Sequence, residues 1–170
     1  TSHLIMRGLK NKIVVITGGL GDLGYATGVR MAEEGCKVVL LDIHPDNDNR
    51  AAAIGAYFWP VDISNELVAE AACATVEKEV GPAHILINTA ARFIFKGVEA
   101  TAEEWREVNA VNIGGTSLMA KYIVPQIKKN GGGSIINFSS VSGFIGQSNF
   151  ATYNATKFAI RGLTKCWAQD

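Results

Sequence analysis

Tyr153 and Lys157 stand four residues apart in Tyr153-Asn154-Ala155-Thr156-Lys157. On a helix this spacing puts a phenol and an ammonium on one face. A free tyrosine titrates near 10 and is a poor base at neutral pH. Bringing it down by about 2 to 3 pH units takes roughly 3 to 4 kcal/mol of preferential phenolate stabilisation, and a neighbouring cation such as Lys157 is the kind of group that supplies most of it. Ser140, thirteen residues upstream, comes just after the apolar run Ser134-Ile135-Ile136-Asn137-Phe138. A hydroxyl there can donate to a substrate carbonyl oxygen while the phenol moves the proton. Ser139 and Ser142 compete for that role, and a serine that closes a strand by bonding local backbone is the plain alternative. Taken alone, Tyr-x-x-x-Lys is common by chance and usually a solvated helix face, so the elements that position it decide its meaning.

The first of these elements is Ile13-Val14-Val15-Ile16, which runs through Thr17-Gly18-Gly19-Leu20-Gly21-Asp22-Leu23-Gly24 into Tyr25 to Ala32. A buried strand here turns into a helix. Gly19, Gly21 and Gly24 have the spacing of a dinucleotide fingerprint: tight turn, close approach to a pyrophosphate, close helix packing. The helix N-terminus would face the phosphates. On its own, this spacing fits a glycine-rich turn without a ligand equally well. A second buried strand, Lys37 to Leu41, comes next and ends at Asp42. An acidic residue about 20 positions beyond the glycines is placed to accept hydrogen bonds from an adenosine ribose. Its charge would repel a 2′-phosphate, so NAD is expected over NADP, and an oxidised nicotinamide ring would complete the pull on the Tyr153 phenol. A turn-forming Asp before His44-Pro45 is the alternative reading of Asp42.

The rest of the chain alternates in the same way. Ala51 to Ile54 predicts a short crossover helix, and Ala56 to Val61 a strand ending in Asp62-Ile63. Ser64 is placed to cap a helix with Val68, Ala72, Val76 and Val80 on one face, stopped by Gly81-Pro82. His84 to Ile87 is a fourth strand leading into Asn88-Thr89-Ala90-Ala91. Apolar strands alternating with helices predict a doubly wound α/β fold, a parallel sheet covered on both faces. Thr101-Ala102-Glu103-Glu104 is a capping box. The helix that it starts would run to Lys129, with an interruption expected at Asn112-Ile113-Gly114-Gly115 and a distortion at Pro125. A loop from Val141 to Phe150 leads to the last helix, which carries Tyr153 and Lys157. The fifth strand, Ser134 to Phe138, is apolar enough to be central, yet no sixth strand covers its edge. An exposed apolar edge is an aggregation hazard, so a longer protein or a second chain is expected there.

At 170 residues and 48% hydrophobic content, residues 1–170 read as a single domain with a real core. Thr1 to Ile5 resembles a cloning remnant ahead of a natural start at Met6. Sixteen basic and sixteen acidic residues cancel without forming a basic block, which argues against nucleic acid or an anionic membrane as partner and for a small molecule. No apolar run approaches the ~18 to 20 residues of a membrane span and no leader is recognisable, so a soluble, cytoplasmic protein is expected. Three separated cysteines and three separated histidines make neither a disulfide set nor a metal site.

From Met6 to Asp170 the sequence resembles the short-chain dehydrogenase/reductase family. The motifs occur in order: Thr17 to Gly24, Asp42, Val61-Asp62-Ile63, Asn88-Thr89-Ala90-Ala91, Val111-Asn112, Phe138-Ser139-Ser140-Val141-Ser142-Gly143, and Tyr153 to Lys157. The resemblance implies an NAD-dependent oxidoreductase in which Ser140, Tyr153 and Lys157 form the catalytic triad and Asn112 holds a proton-relay water. Hydride would pass between nicotinamide and a secondary alcohol or ketone while Tyr153 exchanges the proton. Cofactor contacts are implied for Gly18, Gly21, Asp22 and Leu23, for Asp42 and Ile43, for Asp62 and Ile63, for Asn88 and Ala90, and for Tyr153 and Lys157. A homodimer or homotetramer is implied, built through the long helix after Thr101 and the helix of Tyr153.

The chain departs from the family pattern in three ways. Asp22 stands where the usual turn has glycine, Ala91 stands where Asn-Asn-Ala-Gly ends in glycine, and members usually run to about 250 residues, the remainder carrying two strands and the substrate cover. Two other functions fit the same residues: an NAD-binding regulatory or scaffold protein without turnover, and a non-redox epimerase or lyase. Phe93, Phe95, Phe144 and Phe150 either wall a substrate pocket or pack under the loops, and Arg92 either binds a substrate anion or is a solvated surface residue.

Overall fold

The structure, a computed structural model, describes residues 8–170; the reading of Thr1 to Ile5 and of Met6 lies outside the described residues. Strands β1 (Ile13–Thr17), β2 (Lys37–Asp42), β3 (Tyr57–Pro60), β4 (Ile85–Asn88) and β5 (Ser134–Asn137) form one parallel sheet in the order β3-β2-β1-β4-β5. The order reverses between β1 and β4, and at such a switch point the C-terminal strand ends open a crevice. β1 is buried throughout because both faces of the sheet are covered. Val15, Val39, Leu41 and Leu86 pack on one face against α3 (Glu66–Glu79) and α5 (Thr116–Lys129). Val14, Ile16, Val38, Leu40 and Ile87 pack on the other, toward α1 (Asp22–Glu33) and α2 (Arg50–Ala53). Side chains alternate along a strand, so one apolar run feeds two cores. The fold is the doubly wound α/β sheet that the alternation of elements predicts.

Two local expectations need correction. Asn65, not Ser64, caps α3: its carboxamide oxygen accepts from Val68 N at 3.2 Å, while the Ser64 hydroxyl turns to Asp62 at 2.6 Å. The core-facing stripe is correspondingly Ala69, Cys73 and Val76, leaving Val68 exposed and Ala72 only partly buried. Among the described strands β5 lies at the sheet edge with Ile136 42% exposed, the uncovered apolar edge that the sequence reading expects. Between Val141 and Gly143 the expected loop contains a 3-10 turn before α6 (Ala151–Trp167).

The capping box at Thr101 and Glu104 is formed in both directions and starts α4 (Ala102–Asn109). The interruption at Asn112 is a π-helical segment, Ala110–Gly115, and α5 continues through Pro125. Among the described residues no helix is long and apolar enough to cross a membrane, and no group of three or more His, Cys, Asp or Glu could hold a metal ion.

Ahead of β4, His84 Nδ1 accepts the amide proton of Ile13 at 3.2 Å. Burial first, then the charge of Lys12, hold this imidazole below its ordinary value of 6.5. The unfolded chain therefore takes up the proton before the folded chain does. Stability from this group is full above the ordinary value, falls as pH drops through it, and stops falling below the folded value. Urea midpoints measured between pH 7.5 and 5 should decline less steeply for His84→Gln than for the parent; parallel declines would exclude the effect.

Candidate functional site

Of the work expected from the Gly19, Gly21, Gly24 spacing, close helix packing falls on Gly24 as anticipated, while the tight turn falls on Gly18 rather than Gly19. Gly18 takes φ +64°, and a Cβ on it would lie 2.8 Å from the Ala90 backbone. On Gly24 a Cβ would lie 2.1 Å from the Gly18 carbonyl oxygen, and on Gly19 it would strike Leu40 of β2 at 2.7 Å. Gly21 is the least constrained of the four, its nearest obstacle being the Gly18 oxygen at 3.3 Å. It occupies the N-cap of α1, with no side-chain cap. Asp22 comes next, in the first turn, where the positive end of the helix favours a carboxylate. Asp22 and Leu23 are exposed and are not among the residues that line the adjoining cleft.

That cleft, about 860 Å³, opens at the switch point. Its lining includes Gly18, Gly21, Asp42, Ile43, Asp62, Ile63 and Ala90, seven of the residues expected to touch a cofactor. Asp42 is buried at the end of β2; one carboxylate oxygen accepts from Leu20 N and the other from His44 N, each at 3.0 Å. Asp42 thus closes a turn to His44 and also lines the cleft. One oxygen of Asp62 accepts from the backbone N–H and hydroxyl of Ser64. Residues unforeseen in the lining include Leu20, the stretch His44 to Asp48, Arg50, Val111 and Glu107. Arg92 also lines it, with its guanidinium paired to Glu107 at 2.5 Å rather than left free. No spacing in the sequence connects Leu20 with Arg50 or Arg92 with Glu107.

Tyr153 lies in the first turns of α6, which is anchored there by fully buried Thr152 and Thr156. The Thr152 hydroxyl donates to Ile94 O at 2.5 Å, tying α6 to the loop after β4. From that loop, Phe93 stacks on the Tyr153 ring at 5.5 Å and Phe95 meets it edge-on at 5.3 Å. Phe93 also lines the cleft and stays 62% exposed, so these rings both pack and present an apolar surface. Phe95 stacks on Phe150 at 4.5 Å, and Phe144 lies under the Arg161 guanidinium at 3.7 Å.

The Lys157 ammonium sits 5.4 Å from the Tyr153 ring centroid and donates to Phe138 O at 2.8 Å. Burial lowers the affinity of this ammonium for its proton. Ser140 Oγ accepts from Ser142 N at 3.1 Å, which occupies a lone pair and leaves its proton for the neighbouring Tyr153 phenol. Ser139 and Ser142 are committed elsewhere: Ser139 donates to Lys157 O and Ser142 to Gln147. The Tyr153 phenol does not show the lowered value anticipated from Lys157. Burial pushes it up and the neighbouring Ser140 hydroxyl pulls it down, with burial the larger cause. The ammonium is directed at a carbonyl, and the phenol sits among apolar rings.

Asn112, in the π-helical segment, spends its carboxamide on structure. Its oxygen accepts from Arg92 N at 2.6 Å, and its nitrogen donates to Arg92 O and Thr156 Oγ1, both at 3.0 Å. This side chain ties the loop after β4 to α6. Asn88 joins a polar ladder across the strand ends, accepting from Thr17 Oγ1 at 3.4 Å and donating to Asn137 at 2.9 Å. Asn88, Ala90, Asn112 and Lys157 together line a small crevice with no room for a water molecule.

Five parallel strands in this order, with the cleft at the switch point, define a Rossmann-type α/β domain. The short chain dehydrogenase description matches residues 12–170, and the chain belongs to that family. It is 37% identical over 169 residues to an NADP-dependent (R)-specific alcohol dehydrogenase of Lentilactobacillus kefiri, covering 95% of this chain and 67% of that one. Among solved structures it resembles the aldohexose dehydrogenase of Thermoplasma acidophilum (TM-score 0.88, 30% identity, 95% of this chain and 62% of that one). It also resembles an NAD⁺-bound xylitol dehydrogenase (TM-score 0.90, 27% identity, 96% and 66%). The chain thus spans roughly two thirds of the length of the proteins it matches.

Proposed function

We propose that this chain forms the cofactor-binding and proton-transferring part of an oxidoreductase that moves hydride between NAD and a secondary alcohol or ketone. The observation that carries this reading is the meeting of Tyr153 with Ser140 and Lys157, next to Phe93, which lines the cleft at the sheet's switch point. The cleft suits a dinucleotide: backbone at Gly18 and Gly24 lies where any Cβ would collide, and α1 presents its N-terminus through Gly21. Gly18 and Gly21 would lie along the pyrophosphate, Asp42 and Ile43 at the adenosine ribose, Asp62 and Ile63 near adenine, and Asn88 and Ala90 near the adenosine ribose. Asp22 and Leu23 would contribute backbone N–H groups. When bound, the nicotinamide supplies the hydride acceptor or donor.

Within this reading, Ser140 donates its hydroxyl proton to the substrate oxygen and Tyr153 takes or returns the proton of that oxygen. Lys157 stabilises the phenolate, aided by the positive charge of the oxidised cofactor, and Asn112 serves the site by tying the loop after β4 to α6 beside Tyr153. Homodimer or homotetramer assembly belongs to the same reading.

NAD rather than NADP is favoured by the Asp42 carboxylate, whose charge opposes a 2′-phosphate. The experiment is NADH absorbance with a panel of secondary alcohols and polyols, using the protein at its full natural length and NADP as competing cofactor. Turnover with NAD is expected. Asp42→Asn, which keeps the volume and an acceptor but removes the charge, should narrow the NAD/NADP ratio of kcat/KM by about tenfold or more. An unchanged ratio would remove Asp42 as the determinant. Tight NAD binding with no turnover would leave the scaffold reading, and conversion without net NADH the non-redox one.

A further inference from the structure

Leu20, in the middle of the glycine turn, lines the cleft and is held from outside at both of its backbone groups. Its N–H donates to Asp42, and its carbonyl accepts from Arg50 Nη1 at 2.5 Å. The Leu20–Gly21 peptide is thereby pinned at each end, since Gly21 N donates to Gly18 O at 3.1 Å. A peptide flanked by glycine rotates readily, and this one sits where α1 meets the cleft.

Arg50 is built to stay where it is. Its guanidinium carbon lies 3.9 Å over the Tyr25 ring, and the Tyr25 hydroxyl donates to Arg50 O at 3.1 Å. The Asp46 carboxylate accepts from Arg50 N and Ala51 N, each at 2.8 Å, fixing the start of α2. Among the described residues Arg50 makes no salt bridge to a carboxylate, unlike Arg92, the other arginine of the cleft lining, which is paired with Glu107. Its charge is therefore left for the Leu20 carbonyl, the Tyr25 face and the cleft.

We propose that Arg50 is a positioning residue that sets dinucleotide affinity by holding the Leu20 carbonyl, with Tyr25 as its seat; this rests on the cofactor reading above. A planar guanidinium can stack and donate at once, which an ammonium on a flexible stem cannot. The link crosses 30 residues of sequence from Leu20 and 25 from Tyr25, so it couples the glycine turn to the segment that comes after Asp42.

The test is NAD binding by calorimetry, with steady-state kinetics, on the full-length protein. Arg50→Ala should weaken NAD binding by about tenfold, as loss of a hydrogen bond from a charged donor predicts. KM for NAD should rise by the same factor while kcat at saturating cofactor moves less than twofold. Arg50→Lys should recover only part of the affinity. Tyr25→Ala should weaken binding too, and combining it with Arg50→Ala should add little, because both act through one contact.

A merely structural tether would instead lower the urea midpoint of the ligand-free protein and leave the KM of the folded fraction unchanged. Equal NAD affinity in the parent, Arg50→Ala and Arg50→Lys proteins overturns the proposal, as does full additivity of the Tyr25 and Arg50 changes. If the parent itself binds no dinucleotide, the cofactor reading falls, and this role for Arg50 falls with it.

Discussion

Tyr153→Phe is expected to lower kcat by about 10² to 10⁴-fold, the range that a positioned general acid or base supplies. At 10³ the barrier rises by about 4 kcal/mol. The change removes one oxygen and keeps the ring, so the stacks with Phe93 and Phe95 survive. The anchoring of α6 through Thr152 and Thr156 does not involve the phenol oxygen. Folding and NAD binding should therefore remain close to the parent's, and the loss should fall on the chemical step. Because burial raises the phenol in the cofactor-free chain, alcohol oxidation by the parent should speed up toward alkaline pH as the phenolate fraction grows. Stopped-flow or steady-state NADH absorbance checks both points. A variant retaining more than a tenth of the parent rate would end the assignment of Tyr153 as the proton-transfer group.

The second large effect concerns Gly24→Ala set against Gly21→Ala. A Cβ on Gly24 meets three atoms at once: Gly18 O at 2.1 Å, Thr89 Oγ1 at 2.8 Å and Gly18 C at 2.9 Å. Two of these are backbone of the turn itself, so relief requires moving α1 away from β1 or reshaping Gly18, which already sits at φ +64°. Overpacking of this kind costs about 1 to 3 kcal/mol and occasionally more, and the crowding against backbone places this case near the top of that range. The displacement also carries the N-terminus of α1 away from the cleft, so NAD binding should be lost together with stability. At Gly21 a Cβ would meet, among the described residues, Gly18 O alone, at 3.3 Å, and φ is −70°, a conformation open to alanine. Gly21→Ala should change the unfolding midpoint by less than about 1 kcal/mol equivalent. Chemical denaturation of the two variants measures the contrast, and equal midpoints would show that the turn is soft.

Much of the frame was legible because its causes are local. Apolar runs four to six residues long, punctuated by glycine, proline and polar caps, mark β1 to β5 whatever the rest of the chain does. The capping box at Thr101 and Glu104 closes within a single turn. Asn112-Ile113-Gly114-Gly115 announces an interruption because it offers weak helix formers in the middle of a helical stretch. Tyr153 and Lys157 share a face for the reason that any i, i+4 pair does. Even Asp42 could be placed at the strand end by counting from the glycines.

Where the sequence reading failed, the deciding contact lay far away or depended on a rival group. Ser64 and Asn65 are both good caps, and burial of Ala69, Cys73 and Val76 selects the frame in which Asn65 does the work. That Gly18 and Gly19 must be glycine is decided by Ala90 and Leu40, many residues beyond the turn. Asn112 carries no mark of its bonds to Arg92 and Thr156, nor Arg50 of its seat on Tyr25. The Tyr153 phenol is governed by how deeply Phe93, Phe95 and α6 enclose it rather than by its spacing from Lys157. The order of elements, the family and the residues available for chemistry are all written in the chain, since periodicity, caps and motif spacing act over a few residues. Partners, burial and charge environment arise with the tertiary fold, because desolvation and hydrogen-bond competition depend on groups that folding alone brings within a few ångströms.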